Sequence, residues 1–168
     1  MRCRGFSLIE LMVTIAVLAI LLTIGLPSFQ GSLQSNRVTT VNNELVAALS
    51  LSRSEAIRNT RGSGICPSKG GVECDGDDWS DGWIVWADEN GDGELDDDEE
   101  ILRVRQASQK LDFSGHSNAV AFDSRGRLRA TSAVEISLQP EGCSAGRELK
   151  RALRINAVGQ VTTLREEC

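Results

Sequence analysis

The sequence predicts an α+β chain: one long N-terminal α-helix, its first half transmembrane and its second half amphipathic, packed on a globular antiparallel β domain of two sheets. Three observations carry this. Phe6 to Leu26 holds a single ionisable side chain, Glu10, in 21 residues. The following stretch keeps apolar residues at helical spacing to about residue 61, and the remainder breaks into short β-type runs between turn signals. With 40% hydrophobic and 25% charged residues in 168, the chain has the composition of a folded protein. A net charge of -6 opposes a general nucleic-acid binder, and a lone histidine, His116, excludes paired-histidine chemistry; no enzymatic activity is expected.

Met1-Arg2-Cys3-Arg4-Gly5 is a short basic stub, residues 1–5. Residues 6–27 follow as an apolar run whose length as a helix, roughly 32 Å, matches a bilayer core of about 30 Å. Positive charge before the run and none just after it places the N-terminus in the cytoplasm and the rest of the chain outside. An ordinary secretory signal is the rival reading, but its apolar core is shorter and ends at a small-residue site, which is lacking before Pro27. A plain anchor explains everything except Glu10. A carboxylate at the centre of an apolar span costs about 2.5 to 3.5 kcal/mol, so it calls for a partner or a function.

Gly5-Phe6-Ser7-Leu8-Ile9-Glu10 resembles the class III signal of type IV pilins and type II secretion pseudopilins. The resemblance implies cleavage after Gly5 by a prepilin peptidase, N-methylation of Phe6, and a role for Glu10 in assembly. A carboxylate one turn from the new amine at Phe6 is favoured by the helix dipole, and in a filament it could pair with a neighbouring subunit's amine. Leu45 to Ile57 is similar to the L-x-x-A-L-x-x-A-R-S-E-A-I stretch of the pseudopilin H and FimU/FimT branch of minor pilins, with Ser52 where alanine is commoner. The resemblance covers nearly the whole chain and implies a type IV pilin-like fold. It also implies a minor subunit that primes or caps a type IV pilus or a type II secretion pseudopilus. The implied partners are other minor pilins, the major pilin, the inner-membrane assembly platform and prepilin peptidase; the implied location is the inner membrane, with the globular domain in the periplasm.

Pro27 predicts a kink, since proline removes a hydrogen bond and clashes with the preceding turn. Residues 28–61 continue the helix. Phe29, Leu33, Val38, Val41, Leu45, Ala48, Leu49 and Ala56 form one stripe, while Arg37, Asn42, Asn43, Glu44 and Arg53 fall mostly off it. Gly62 and Gly64 are expected to end the helix. A coiled coil is the alternative for this stretch, but the pattern persists for only about four turns.

Residues 62–168 form the β domain. Nine short runs are read as strands: 63–66, 82–87, 101–106, 110–113, 119–122, 127–129, 134–138, 152–157 and 160–164. Ser124-Arg125-Gly126 and Val158-Gly159 are read as hairpin turns, and Trp79, Trp83 and Trp86 as core or edge packing. Removing Cys3 with the leader leaves Cys66, Cys74, Cys143 and Cys168, which outside the cytoplasm form disulfides. Three pairings are possible. Cys66 with Cys74, closing a glycine-rich loop, and Cys143 with Cys168, pinning the last strand, are favoured. Zinc is disfavoured because no C-x-x-C spacing exists.

Asp88 to Glu99 fits the twelve-residue calcium-loop template, and Asp88, Asn90, Asp92, Glu94 and Glu99 would be the ligands. Strand-like flanks replace the helices that an EF-hand needs, so the loop is read as a charged hairpin tip. No cofactor is expected, with calcium as the alternative. Arg125, Arg127 and Arg129 form one basic group, and Arg147, Lys150, Arg151 and Arg154 a second. Some relatives of the FimT kind bind DNA through such loops, so a DNA-uptake receptor is the alternative function. The acidic balance opposes it: loss of Arg2 and Arg4 with the leader leaves 16 of 18 basic side chains against 24 acidic ones.

Overall fold

The computed structural model describes residues 7–168, the side chains of residues 24–28 excepted. The leader cut at Gly5 and Phe6 and the kink at Pro27 lie outside the described residues. The chain divides into two compact units, residues up to Asn36 and Arg37–Cys168. One helix, α1 (Leu8–Asn59), supplies the first unit and the spine of the second. In the second unit, β1 (Gly62–Pro67), β2 (Gly82–Asp88), β3 (Ile101–Gln106) and β5 (Val120–Asp123) form one antiparallel sheet in the order β3-β2-β1-β5. The other sheet, β4-β6-β7-β8, is built from β4 (Leu111–Gly115), β6 (Val134–Pro140), β7 (Lys150–Ile155) and β8 (Val161–Glu166).

The apolar stripe of α1 is used only within the second unit. Val38, Val41, Leu45, Ala48, Leu49 and Ala56 are buried in one cluster with Ile65, Trp83, Val85 and Phe122 of the first sheet and Ile136, Leu138, Leu153 and Ile155 of the second. Each fully buried Leu or Ile supplies roughly 1.5 to 3 kcal/mol, so this single core holds both sheets to the helix. Phe29 and Leu33, expected on the stripe, are 62% and 47% exposed, because the domain core begins only at Val38. Asn42, expected off it, is buried, and its Oδ1 has no hydrogen-bond partner.

The helix also ends differently from the expectation. Thr60 takes a left-handed conformation at φ 61°, and Asn59 Oδ1 accepts the N–H groups of Arg61 and Gly62 at 2.9 and 3.1 Å. This side-chain cap turns the chain directly into β1, so Gly62 and Gly64 are strand residues. Gly64 is needed for packing: a Cβ there would stand 2.1 Å from the Trp86 ring.

Eight strands occur among the described residues, not nine. The run 127–129 makes only one bridge, Phe122 to Leu128. Asp123 Oδ1 accepts the N–H groups of both Arg125 and Arg127 at 2.9 Å, which winds the chain into a tight turn in place of a strand. The 158–159 turn is formed as read, with Gly159 at φ 74° packed so close to the Gly126 carbonyl that no Cβ fits. Disulfides join Cys66 to Cys74 and Cys143 to Cys168.

Trp79 and Trp83 lie in the main core, their centroids 6.4 Å apart. Trp86 stands three residues beyond Trp83 in the same strand and therefore on the opposite face. There it forms a second cluster with Cys66, Ile84, Leu95 and Ile101. The outer face of the first sheet is thus covered too, which is why every residue of β1 and β2 is buried.

Candidate functional site

Two features remain once the fold is accounted for: the apolar helix ahead of the globular unit, and the acidic loop that closes its outer face. Leu8, Ile9, Leu11, Met12, Ile15, Leu18, Ile20 and Leu21 are all at least 54% exposed, on every side of the helix. A helix that is apolar all round needs a nonpolar surrounding. Its polar groups are settled internally: Thr14 and Thr23 donate their hydroxyls to the carbonyls of Leu11 and Ile20 at 2.8 and 2.7 Å. Ser7 caps the start, its Oγ accepting the N–H of Glu10 at 3.2 Å while its carbonyl accepts that of Leu11. Glu10 sits in the first turn, where a carboxylate complements the helix dipole. Among the described residues no helix is long and apolar enough to cross a membrane: Leu8 to Thr23 measures about 24 Å at 1.5 Å per residue.

The 45–57 segment works as a clamp between helix and sheets. Arg53 donates from Nε to the Gly126 carbonyl at 2.9 Å and from Nη2 to the Val158 carbonyl at 3.1 Å, tying two turns to the helix. Ser52, the departure from alanine, shares a 3.1 Å hydrogen bond with Ser63 Oγ, which itself donates to the Trp86 carbonyl at 2.5 Å. Glu55 is buried and accepts two hydrogen bonds from Arg58, at 2.7 and 2.8 Å. Such a fork-to-carboxylate contact is the stronger kind of ion pair.

The acidic loop is an ordered cover. Leu95 packs against the cluster of Cys66, Ile84 and Trp86, and the Trp86 Nε1–H donates to the Glu94 carbonyl at 3.1 Å. Asp88 is fully buried; its Oδ1 accepts the Gly91 N–H at 2.6 Å and its Oδ2 faces Arg129 Nη2 at 3.2 Å. Arg129 also donates to the Gly91 carbonyl at 2.7 Å. Asn90 accepts the Asp92 N–H and donates its amide to the carboxylates of Asp92 and Asp96 at 3.0 and 2.7 Å. Asp92 Oδ1 accepts the Glu94 N–H at 2.8 Å. Glu99 accepts the N–H groups of Glu89 and Asp96 at 2.7 and 3.2 Å, closing the loop. The structure therefore brings Asp88, Asn90, Asp92, Glu94 and Glu99 into one loop, but no group of three carboxylate, imidazole or thiol side chains placed to hold a metal is found among the described residues.

The basic groups are largely neutralised in place. Arg127 pairs with Asp123 at 2.9 Å, Arg129 with Asp88, Arg154 with Glu135 at 2.7 Å, and Lys150 with Glu166 at 2.8 Å. Arg127 and Arg129 are consequently not the solvent face of a strand. Sequence reasoning missed the Arg53 clamp and the Arg129 contact, since both join residues far apart in the chain. It could have found the outer-face cluster, because two tryptophans three apart in one strand cannot share a face.

Comparison with known proteins agrees with this architecture. Residues 42–159 match the family described as Type II transport protein GspH, and residues 1–26 match the prokaryotic N-terminal methylation motif. A type IV major alpha-pilin of Moraxella bovis is 46% identical over 44 residues, which is 26% of this chain and 28% of that pilin's length. The type IV minor pilin FimU of Pseudomonas aeruginosa superposes with a TM-score of 0.60 at 19% identity, covering 79% of this chain and 93% of FimU. The minor pseudopilin EpsH of the Vibrio cholerae type 2 secretion system gives a TM-score of 0.50 at 14% identity, covering 77% and 97%. The family match spans most of the globular unit and the motif match lies on the apolar helix start, so the chain belongs to the GspH family and is a minor pilin or pseudopilin of the FimU and GspH branch.

Proposed function

We propose that prepilin peptidase cleaves this chain after Gly5 and N-methylates Phe6, and that residues 6–27 then hold it in the inner membrane with its globular domain in the periplasm. From there it enters a minor-pilin complex that primes or caps a type IV pilus or a type II secretion pseudopilus. Its partners are other minor pilins, the major pilin and the assembly platform. One observation carries the reading: the core of the globular unit begins at Val38, while the apolar side chains of Leu8 to Leu22 are left exposed on all sides. A membrane and then a bundle of like helices supply the nonpolar surrounding that such a segment needs. No cofactor enters this function. We infer that the acidic loop serves as a cover for Trp86, neutralised by Arg129 and by its own N–H groups. Against the DNA-uptake alternative, Arg127, Arg129, Lys150 and Arg154 are already held in ion pairs within the chain.

The test is a pair of variants in cells that assemble filaments. Gly5→Ala is expected to retain the leader, read as the full-length mass, and normal processing of that variant refutes the cleavage assignment. Glu10→Ala is expected to be processed and membrane-bound but depleted from sheared filaments. Undiminished incorporation refutes the assembly role of Glu10.

A further inference from the structure

Two arginines form no ion pair among the described residues when the cations of the second sheet are matched to acids. Arg151 on β7 lies directly opposite Arg165 on β8. Like charges facing across an antiparallel pair are destabilising. The neighbouring acid does not relieve them: Glu166 pairs with Lys150, and both are one residue out of step, on the other face of the sheet. Arg154 is taken by Glu135.

Arg151 is only 6% exposed, on the face that carries Leu153 and Ile155 into the core. Its Nη1 donates to the carbonyls of Glu148 and Lys150 at 3.2 and 3.0 Å, and no ion pair is formed by Arg151 or Arg165 among the described residues. Burial, and then the charge of Arg165, push the pKa of Arg151 down, with Glu148 acting the other way. A buried cation that forms no ion pair is costly, and the fold bears that cost at one defined spot.

We propose that Arg151 and Arg165 form a receptor for a carboxylate presented by a neighbouring pilin-type subunit; this rests on the reading of the chain as a filament subunit. Two guanidinium groups on one face match a single carboxylate, and planar arginine forks hold such a group with fixed geometry. Partial burial strengthens the attraction relative to open water. Nucleic acid fits less well: a polyanion needs an extended basic track, whereas Glu148 lies close to this pair and the chain carries a net charge of -6.

The experiment uses the full chain in filament-producing cells, with a photo-crosslinking residue in place of Thr163, which is exposed two residues from Arg165 on the same face. The expected product is a cross-link to an Asp- or Glu-containing segment of another pilin-type subunit, falling at least fivefold in Arg165→Gln. Arg165→Glu should abolish it, and exchanging the identified carboxylate for arginine should restore it. Arg165 is exposed, so its variants test the idea even where Arg151→Met fails to fold. A yield indifferent to Arg165→Gln, or a cross-link to nucleic acid or lipid, overturns the proposal. A second crosslinker at Ile15 separates the two readings. Capture of a pilin-type subunit there with no Arg165-dependent capture at Thr163 refutes only the carboxylate receptor, while capture at neither position refutes the filament reading and the receptor with it.

Discussion

Removing the Cys143–Cys168 disulfide gives the cleanest measure of how the second sheet is held. The bond spans 25 residues, enclosing β7 and β8. Neither cysteine belongs to an apolar cluster, so a double alanine variant loses little packing and mainly frees the unfolded chain. Loop-closure entropy for a loop of that length is worth about 3.5 kcal/mol. The unfolding entropy of the globular unit, taken at about 2.1 cal/mol/K per residue over roughly 130 residues, is about 0.28 kcal/mol/K, so the melting temperature should fall by about 12 °C. The strand that this bond pins is weakly buried: Thr162, Thr163, Leu164 and Arg165 are exposed, and β8 pairs on one side only, with β7. The β8 amides should therefore also exchange faster than those of β7. The assay is a tryptophan-fluorescence melt of the full chain in detergent, with reduced wild type as the control, followed by hydrogen exchange. A melting temperature within about 3 °C of wild type would refute the argument, since on the entropy model it leaves under about 1 kcal/mol for the whole cross-link.

Three further outcomes follow from single contacts. Gly64→Ala should destabilise the domain by about 1 to 3 kcal/mol and shift tryptophan emission to the red, because the new methyl overlaps the Trp86 ring; unchanged emission would mean that the ring accommodates it. Asp75 Oδ1 accepts the Lys69 N–H at 2.8 Å, and that bond lowers its pKa in the fold. Its contribution is complete above the unfolded value of about 3.9 and lost as pH falls through the folded value, so the stability gap between wild type and Asp75→Asn should close in acid. A gap independent of pH down to the acid transition would contradict this. Millimolar calcium against chelator should move the melting temperature by no more than about 1 °C; a shift of several degrees, abolished by Glu99→Gln, would make Asp88, Asn90, Asp92, Glu94 and Glu99 metal ligands.

Much of this molecule was legible because its strongest signals are local. The leader motif, the apolar run and eight of the nine strand positions depend on residues within a few places of one another. The misreadings arise where a longer-range contact decides. Spacing alone carries the apolar stripe back to Phe29, since it cannot say where the domain stops covering it. Arg127 to Arg129 alternates like a strand, yet Asp123 captures two backbone N–H groups and bends the chain there. The loop from Asp88 to Glu99 reads as a solvated tip, since nothing in its own sequence shows that Leu95 packs against the Trp86 cluster or that Arg129 arrives from 41 residues away.

The start of the helix bears on the proposed role of Glu10 in assembly. In a capping box the glutamate at the third helical position would turn back to the cap residue's own N–H, and Ser7 and Glu10 have that spacing. Ser7 Oγ already satisfies the Glu10 N–H, and the Glu10 side chain has no ion pair among the described residues. No hydrogen bond from the Ser7 N–H to the Glu10 carboxylate is formed among the described residues, so only the serine half of the capping box is present. That leaves a charge in an apolar segment, tolerable near the helix N-terminus but costly deeper in a nonpolar bundle. A cationic amine brought to it by a neighbouring chain would offset the cost on both sides, and misplaced neighbours would leave it unpaid. In the proposed filament Glu10 would then act chiefly through the penalty for wrong registration, and Glu10→Ala is expected to loosen the order of assembly, read as subunit order in cross-linked filaments, while leaving each helix intact.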